Sequence, residues 1–123
     1  MATKSQPKDS WYLRLRATCL VSRAEYRENR SEDPFADYAL AEDDLQRALE
    51  LKKDFTSAWR ERAQLRFGRA ASWEKRGQKE RARQDYSAAA ADYLETLSLN
   101  RRLQSELEPR MAEAKKKAAE LGE

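Results

Sequence analysis

The chain reads as all-α and built by helical repetition, and three observations predict this. Good helix formers (Ala, Leu, Glu, Arg, Lys and Gln) dominate the composition. Breakers are scarce, with Gly only at 68, 77 and 122 and Pro only at 7, 34 and 109. Most tellingly, Asp37-Tyr38-x-x-Ala41-x-x-Asp44-Leu45-x-x-Ala48-Leu49-x-Leu51 returns 48 residues later as Asp85-Tyr86-x-x-Ala89-x-x-Asp92-Tyr93-x-x-Thr96-Leu97-x-Leu99. The same shift lays Trp11 on Trp59 and Arg14 on Arg62, and carries Arg62 onto Arg110. A fixed period in this range marks a helical solenoid, whose units bury their apolar faces on one another.

Helix one is expected from Asp9 or Ser10 to Asn29, after a flexible segment at 1–8. Trp11, Leu15, Cys19, Ser22 and Tyr26 recur at near-helical spacing, and Leu13, Ala17 and Leu20 widen the stripe. Asn29-Arg30-Ser31-Glu32 is a break, after which Asp33 offers an N-cap and Pro34 suits a first turn. Helix two runs to about Lys52, with Tyr38, Ala41, Leu45, Ala48 and Leu49 inward. Lys53 to Thr56 forms the next turn. Helix three starts at Thr56 or Ser57, carries Trp59, Ala63, Phe67 and Ala70, and stops before Gly77, a candidate left-handed C-cap.

Helix four is expected over Lys79 to Leu99, with Ala82, Tyr86, Ala89, Tyr93 and Leu97 inward. A fifth helix follows Asn100 and ends near Leu121, with Leu103, Leu107, Met111, Ala114, Ala118 and Leu121 in one stripe. Ser105 with Glu108 resembles a capping box, which would put Pro109 in the first turn. A start at Arg101 would instead make Pro109 a kink. The organisation is therefore one domain, 9–123, made of a hairpin at 9–53, a hairpin at 56–99 and a capping helix at 101–121.

At 123 residues the chain is long enough for one useful core. The first ten residues lack an apolar run suited to a secretory signal, and no segment is apolar enough to span a membrane. Cys19 is the single cysteine, which fits a reducing, cytoplasmic setting. The absence of histidine removes the commonest metal ligand and the usual general base at neutral pH. No Gly-rich phosphate loop, nucleophile elbow or Cys-x-x-Cys occurs. The repeated pairs Asp37/Asp85 and Asp44/Asp92 suggest paired acids on facing helices, but Asp44 and Asp92 read better as caps or inter-helix hydrogen bonds. A di-metal carboxylate bundle would want Glu-x-x-His. No catalytic residue, metal or cofactor is expected.

At Ala41-x-x-Asp44-x-x-x-Ala48-Leu49-x-Leu51, followed by Phe55 and Ala58-Trp59, the chain resembles a tetratricopeptide repeat. In that family a B helix ends in Ala-Leu-x-Leu and the next A helix opens with Ala-x-Trp or similar. The second copy departs where Thr96 replaces the small alanine. The family's turn proline is replaced by Lys53 and Arg101, and the period exceeds the family's roughly 34 residues. About seven extra residues per helix, close to two turns or ~10 Å, would keep an antiparallel hairpin matched. The resemblance implies a right-handed solenoid of two elongated hairpins plus a capping helix.

It also implies a non-catalytic scaffold or adaptor module that binds a peptide or partner protein in a groove lined by the A helices. Carried over by position, Tyr12, Arg16 and Cys19 would come from the first hairpin, and Arg60, Gln64 and Phe67 from the second. Tyr12 and Phe67 could bury against a peptide while Arg16 and Arg60 grip its carboxylates. The lysines and asparagines of chaperone-binding members are missing here.

Charge is segregated. Nine basic residues face three acidic ones from Arg60 to Arg83, and eight acidic face three basic from Ser31 to Asp54. Attraction between neighbouring hairpins is one use; a positive surface for an acidic peptide is another. The alternative function is a basic helical module for RNA or DNA, for which no recognised motif is present. Two and a half repeats is near the lower limit for a stable array, so a homo-oligomer or a larger assembly is expected.

Overall fold

The computed structural model describes residues 7–122, and among them the chain is helical without a strand. The elements are α1 (Pro7–Asn29), α2 (Phe35–Leu51), α3 (Thr56–Lys75), α4 (Lys79–Leu99), a 3-10 turn (Arg101–Leu103) and α5 (Gln104–Leu121). Residues 1–6, where most of the expected flexible segment falls, lie outside the described residues, and α1 starts two residues before Asp9. Contacts divide the chain into two compact units, 1–58 and 59–123, and each is described by itself.

In the first unit α1 ends in a Schellman turn. Ser31 takes φ 61°, the Glu32 N–H donates to the Arg27 carbonyl (2.7 Å) and the Ser31 N–H to the Glu28 carbonyl (3.0 Å). These bonds satisfy carbonyls that the helix end would otherwise strand. The Asp33 side chain accepts the Phe35 N–H at 2.8 Å, and Pro34 sits in helical backbone as a first-turn proline can. Tyr38, Ala41, Leu45, Ala48 and Leu49 of α2 are all buried.

Of the stripe expected on α1, the widening residues Leu13 and Ala17 are buried but the main row is not. Trp11, Leu15 and Tyr26 are 49%, 53% and 60% exposed, and Cys19 and Ser22 are exposed beside them. The buried residues are Ser10, Leu13, Ala17 and Ala24, with Leu20 and Val21 half-buried. At 100° per residue these two rows lie about half a turn apart.

In the second unit α4, α5 and the Ala63/Phe67/Ala70 row of α3 pack as the pattern predicts, while Leu65 and Ser72 of α3, outside the expected row, are buried too. Ala63, Ala89, Tyr93 and Leu107 form one buried cluster with Phe67, Leu97, Leu103 and Met111 against it. Ala70, Ala82 and Tyr86 form another with Phe67, Trp73, Ala118 and Leu121. Phe67 meets Tyr86 edge-on, with ring centroids 5.1 Å apart. Gly77 adopts φ 76° in a second Schellman turn, where the Gln78 N–H donates to the Trp73 carbonyl at 2.9 Å.

The Ser105/Glu108 capping box does not form. The Asn100 side chain accepts the Arg102 N–H at 3.1 Å and starts the 3-10 turn, so α5 is under way by Gln104. Glu108 instead accepts the Gln104 side chain at 2.6 Å, and Pro109 falls inside the helix, in its second turn.

The repeat is visible in local geometry. Lys52 has φ −145°, ψ 93° and Asn100 has φ −146°, ψ 93°, each N–H reaching a carbonyl four residues back. Phe55 then donates to the Lys52 carbonyl and Leu103 to the Asn100 carbonyl, both at 3.2 Å. The Arg14 guanidinium lies 5.2 Å from the Trp11 ring, and that of Arg62 lies 4.8 Å from Trp59. Thr96, in the place of Ala48, spends its hydroxyl on the Asp92 carbonyl at 2.7 Å and so buries no orphaned group.

Candidate protein-binding surface

Four buried aspartates organise the helix pairs. Asp44 of α2 accepts Arg16 Nε and Nη2 at 2.7 and 2.6 Å, a bidentate fork. Asp37 accepts Arg23 Nε and Nη2 at 2.9 and 2.7 Å and Arg27 Nε at 3.1 Å. Hydrogen bonding to Arg23, reinforced by Arg27, holds the Asp37 carboxyl below its ordinary 3.8 against the opposing pull of burial. In the second unit Asp92 takes Arg62 Nε and Nη2, both at 3.0 Å, and Arg66 Nη1 at 2.9 Å. Asp85 takes Arg69 Nε and Nη2 at 2.7 and 2.9 Å. Of the two readings for Asp44 and Asp92, cap or inter-helix hydrogen bond, the geometry is the second, and Asp37 and Asp85 do the same.

The carboxylates repeat every 48 residues, but the arginines that reach them do not. Copied back by one period, Arg62, Arg66 and Arg69 fall on Arg14, Thr18 and Val21, only one of which is cationic. Seated on α2 as α3 sits on α4, α1 would leave Asp37 buried with no arginine, at a cost of several kcal/mol. Its cations at 16, 23 and 27 lie instead beside the Leu13/Ala17/Ala24 row. The arginines stand about a quarter-turn to the same side of Leu13/Ala17/Ala24 on α1 as of Ala63/Ala70 on α3, where a second row, Ala58, Leu65 and Ser72, is buried on their other side. The electrostatic demand of Asp37 therefore turns α1 over. The spacing of those three arginines is the signal in the sequence that marks the buried face.

The consequence is an outward row of Tyr12, Leu15, Cys19 and Tyr26, extended by the half-exposed Trp11, whose ring centroid lies 5.6 Å from that of the buried Phe55. Tyr12 is 61% exposed, with the Arg16 guanidinium 5.6 Å from its ring, and Cys19 is a free, exposed thiol. Arg16 is half-exposed but engaged by Asp44, which raises its pKa further above the ordinary arginine value. In the second unit Arg60 pairs with Glu106 of α5, Gln64 is exposed, and Phe67 packs inward against Tyr86. Of the six expected binding residues, Tyr12, Cys19 and Gln64 are thus presented outward, Arg16 and Arg60 are tied into ion pairs, and Phe67 serves the core.

The basic stretch of α3 is answered by Asp85 and Asp92 of α4, and the acidic α2 by arginines of α1. The complementarity documented by these pairs acts inside each hairpin. A shallow depression where α4 meets α5 is lined by Leu94, Leu97, Ser98, Arg101 and Gln104. Among the described residues no cluster of three or more Cys, Asp or Glu could hold a metal ion, and no helix is long and apolar enough to cross a membrane. No family model, curated protein or solved structure matches the chain.

Proposed function

We propose that the chain is a non-catalytic protein-interaction module of elongated, tetratricopeptide-like hairpins in a solenoid, capped by α5, which docks a partner protein on the outward face of α1. The observation that carries this reading is the exposed Trp11–Tyr12–Leu15–Cys19–Tyr26 row on a helix whose opposite face is already buried. Contiguous exposed aromatic and aliphatic surface is what binding faces present, and Trp and Tyr are the residues that concentrate binding energy there. Binding of nucleic acid is the weaker alternative, because Arg16, Arg23, Arg62, Arg66 and Arg69 are committed to buried aspartates. No catalytic residue, metal or cofactor is assigned.

Partner capture on immobilised chain tests this, with wild type compared with Leu15→Asp/Tyr26→Asp and with Arg16→Ala/Arg60→Ala. Capture lost in the first variant and kept in the second is expected. A Leu15→Asp/Tyr26→Asp variant that keeps every partner refutes the reading. A steeply salt-dependent affinity for RNA or DNA, unaffected by the apolar changes, would favour the alternative.

A further inference from the structure

We infer that the occupant of the α1 row is a second copy of this chain, met row against row, which gives the docking surface proposed above its partner. Three observations lead there. The repeat equivalents of Leu15, Cys19 and Ser22 are Ala63, Phe67 and Ala70, and on α3 these pack with Tyr86, Tyr93 and Leu107. The α1 row thus has apolar members like those of a core row; Trp11 leans on the Phe55 ring (centroids 5.6 Å apart), and Tyr12, Leu15, Cys19 and Tyr26 stay exposed beyond it.

The area fits a symmetric pair. Half-exposed Trp11, Tyr12, Leu15 and Tyr26 offer on the order of 100 Å² each, roughly 500 Å² with Cys19 and the flanking atoms. Two such rows bury about 1,000 Å² in total, the lower bound for a specific interface. A single row against a polar partner surface supplies only about half of that in apolar area.

The shape and charge also suit self-association. Small Cys19 and Ser22 lie mid-row, with Trp11, Tyr12 and Leu15 toward one end and Tyr26 toward the other. Helices that cross at small residues approach closely there, and larger side chains fill the widening gap beyond. Arg16 and Arg23 at the row's edge are each paired with an aspartate of their own unit, so two copies meet without uncompensated like charge. In a parallel pair Cys19 faces its own counterpart, and in an antiparallel pair crossing between Cys19 and Ser22 it faces Ser22, one helical turn from the other thiol.

The test combines light-scattering mass with thiol cross-linking of the intact chain by a short bismaleimide. Wild type is expected to show dimer mass that grows with concentration and a Cys19 cross-link. Leu15→Asp should weaken both at least tenfold, whereas Leu94→Asp, at an exposed site on α4, should leave them unchanged. Cys19→Ser should lose the cross-link and keep the dimer mass. Far-UV circular dichroism establishes that each variant is folded. A wild type that stays monomeric up to about 1 mM, or a cross-link that survives Leu15→Asp, overturns the inference. If the chain is monomeric while capture of another protein depends on Leu15, the docking face stands and the second copy alone is refuted.

Discussion

Asp92 and Asp44 occupy the same place in the repeat and are equally buried, yet their replacement by alanine should cost very different amounts. Asp92 is 3% exposed and accepts three bonds from two guanidiniums whose side chains are only 11% and 20% exposed. Removing it leaves two cations largely out of water. Breaking a buried pair in this way costs about 3–5 kcal/mol, and the partial access of Arg66 to solvent places the expected loss near ~3 kcal/mol. Asp44 is held by Arg16, whose side chain is 49% exposed and returns to water when its partner goes. Asp44→Ala should therefore shift the urea midpoint less than half as far as Asp92→Ala. Urea unfolding can be followed by tryptophan fluorescence, with Trp11 reporting on the first unit and Trp59 and Trp73 on the second. With a slope of about 2 kcal/mol per molar urea, Asp92→Ala loses roughly 1.5 M at the midpoint. Equal shifts, or a larger one for Asp44→Ala, would refute the argument that partner exposure sets the cost.

The two left-handed helix ends predict changes of opposite sign. Ser31→Gly should stabilise by about 0.5–1 kcal/mol, because φ 61° strains a residue with a Cβ. Gly77→Ala should destabilise by about 1 kcal/mol through backbone strain alone, since a Cβ there meets nothing within 4 Å. Both are read from the urea midpoint at constant slope. Acid sensitivity follows from Asp37: its folded pKa is depressed, so its contribution is full above the ordinary 3.8 and disappears as pH falls below that through the folded value. Asp37→Asn should flatten that limb of the stability–pH curve while lowering stability at neutral pH; an unchanged limb would contradict the assignment.

Much of the fold was legible because several helix ends are marked by a residue with one physical job. Asp33 supplies an acceptor, Gly77 a left-handed backbone, and α4 spans Lys79–Leu99 as the pattern places it. The α5 stripe was readable for the same reason, since Leu107 and Ala114 lie on its one apolar line. The α1 face was not readable from hydrophobicity, because Leu13/Ala17/Ala24 and Trp11/Leu15/Cys19 are both apolar rows and either could pack. The choice lay in where Arg16, Arg23 and Arg27 stand relative to two aspartates on another helix, a non-local condition. The Ser105 box misled because Asn100 had already begun the turn that α5 continues. The candidate site shared these limits: Cys19 stood both in the expected apolar stripe of α1 and in the expected groove, and the structure exposes it, while Phe67 could not be told from a groove residue without the ring of Tyr86 beside it.

The inverted seating of α1 separates what the molecule displays from what decides the display. Grease on both sides makes the helix permissive, and cations make it directive. Drift at positions 16, 23 or 27 would thus roll a different set of side chains toward the outside without changing one residue of the row now displayed.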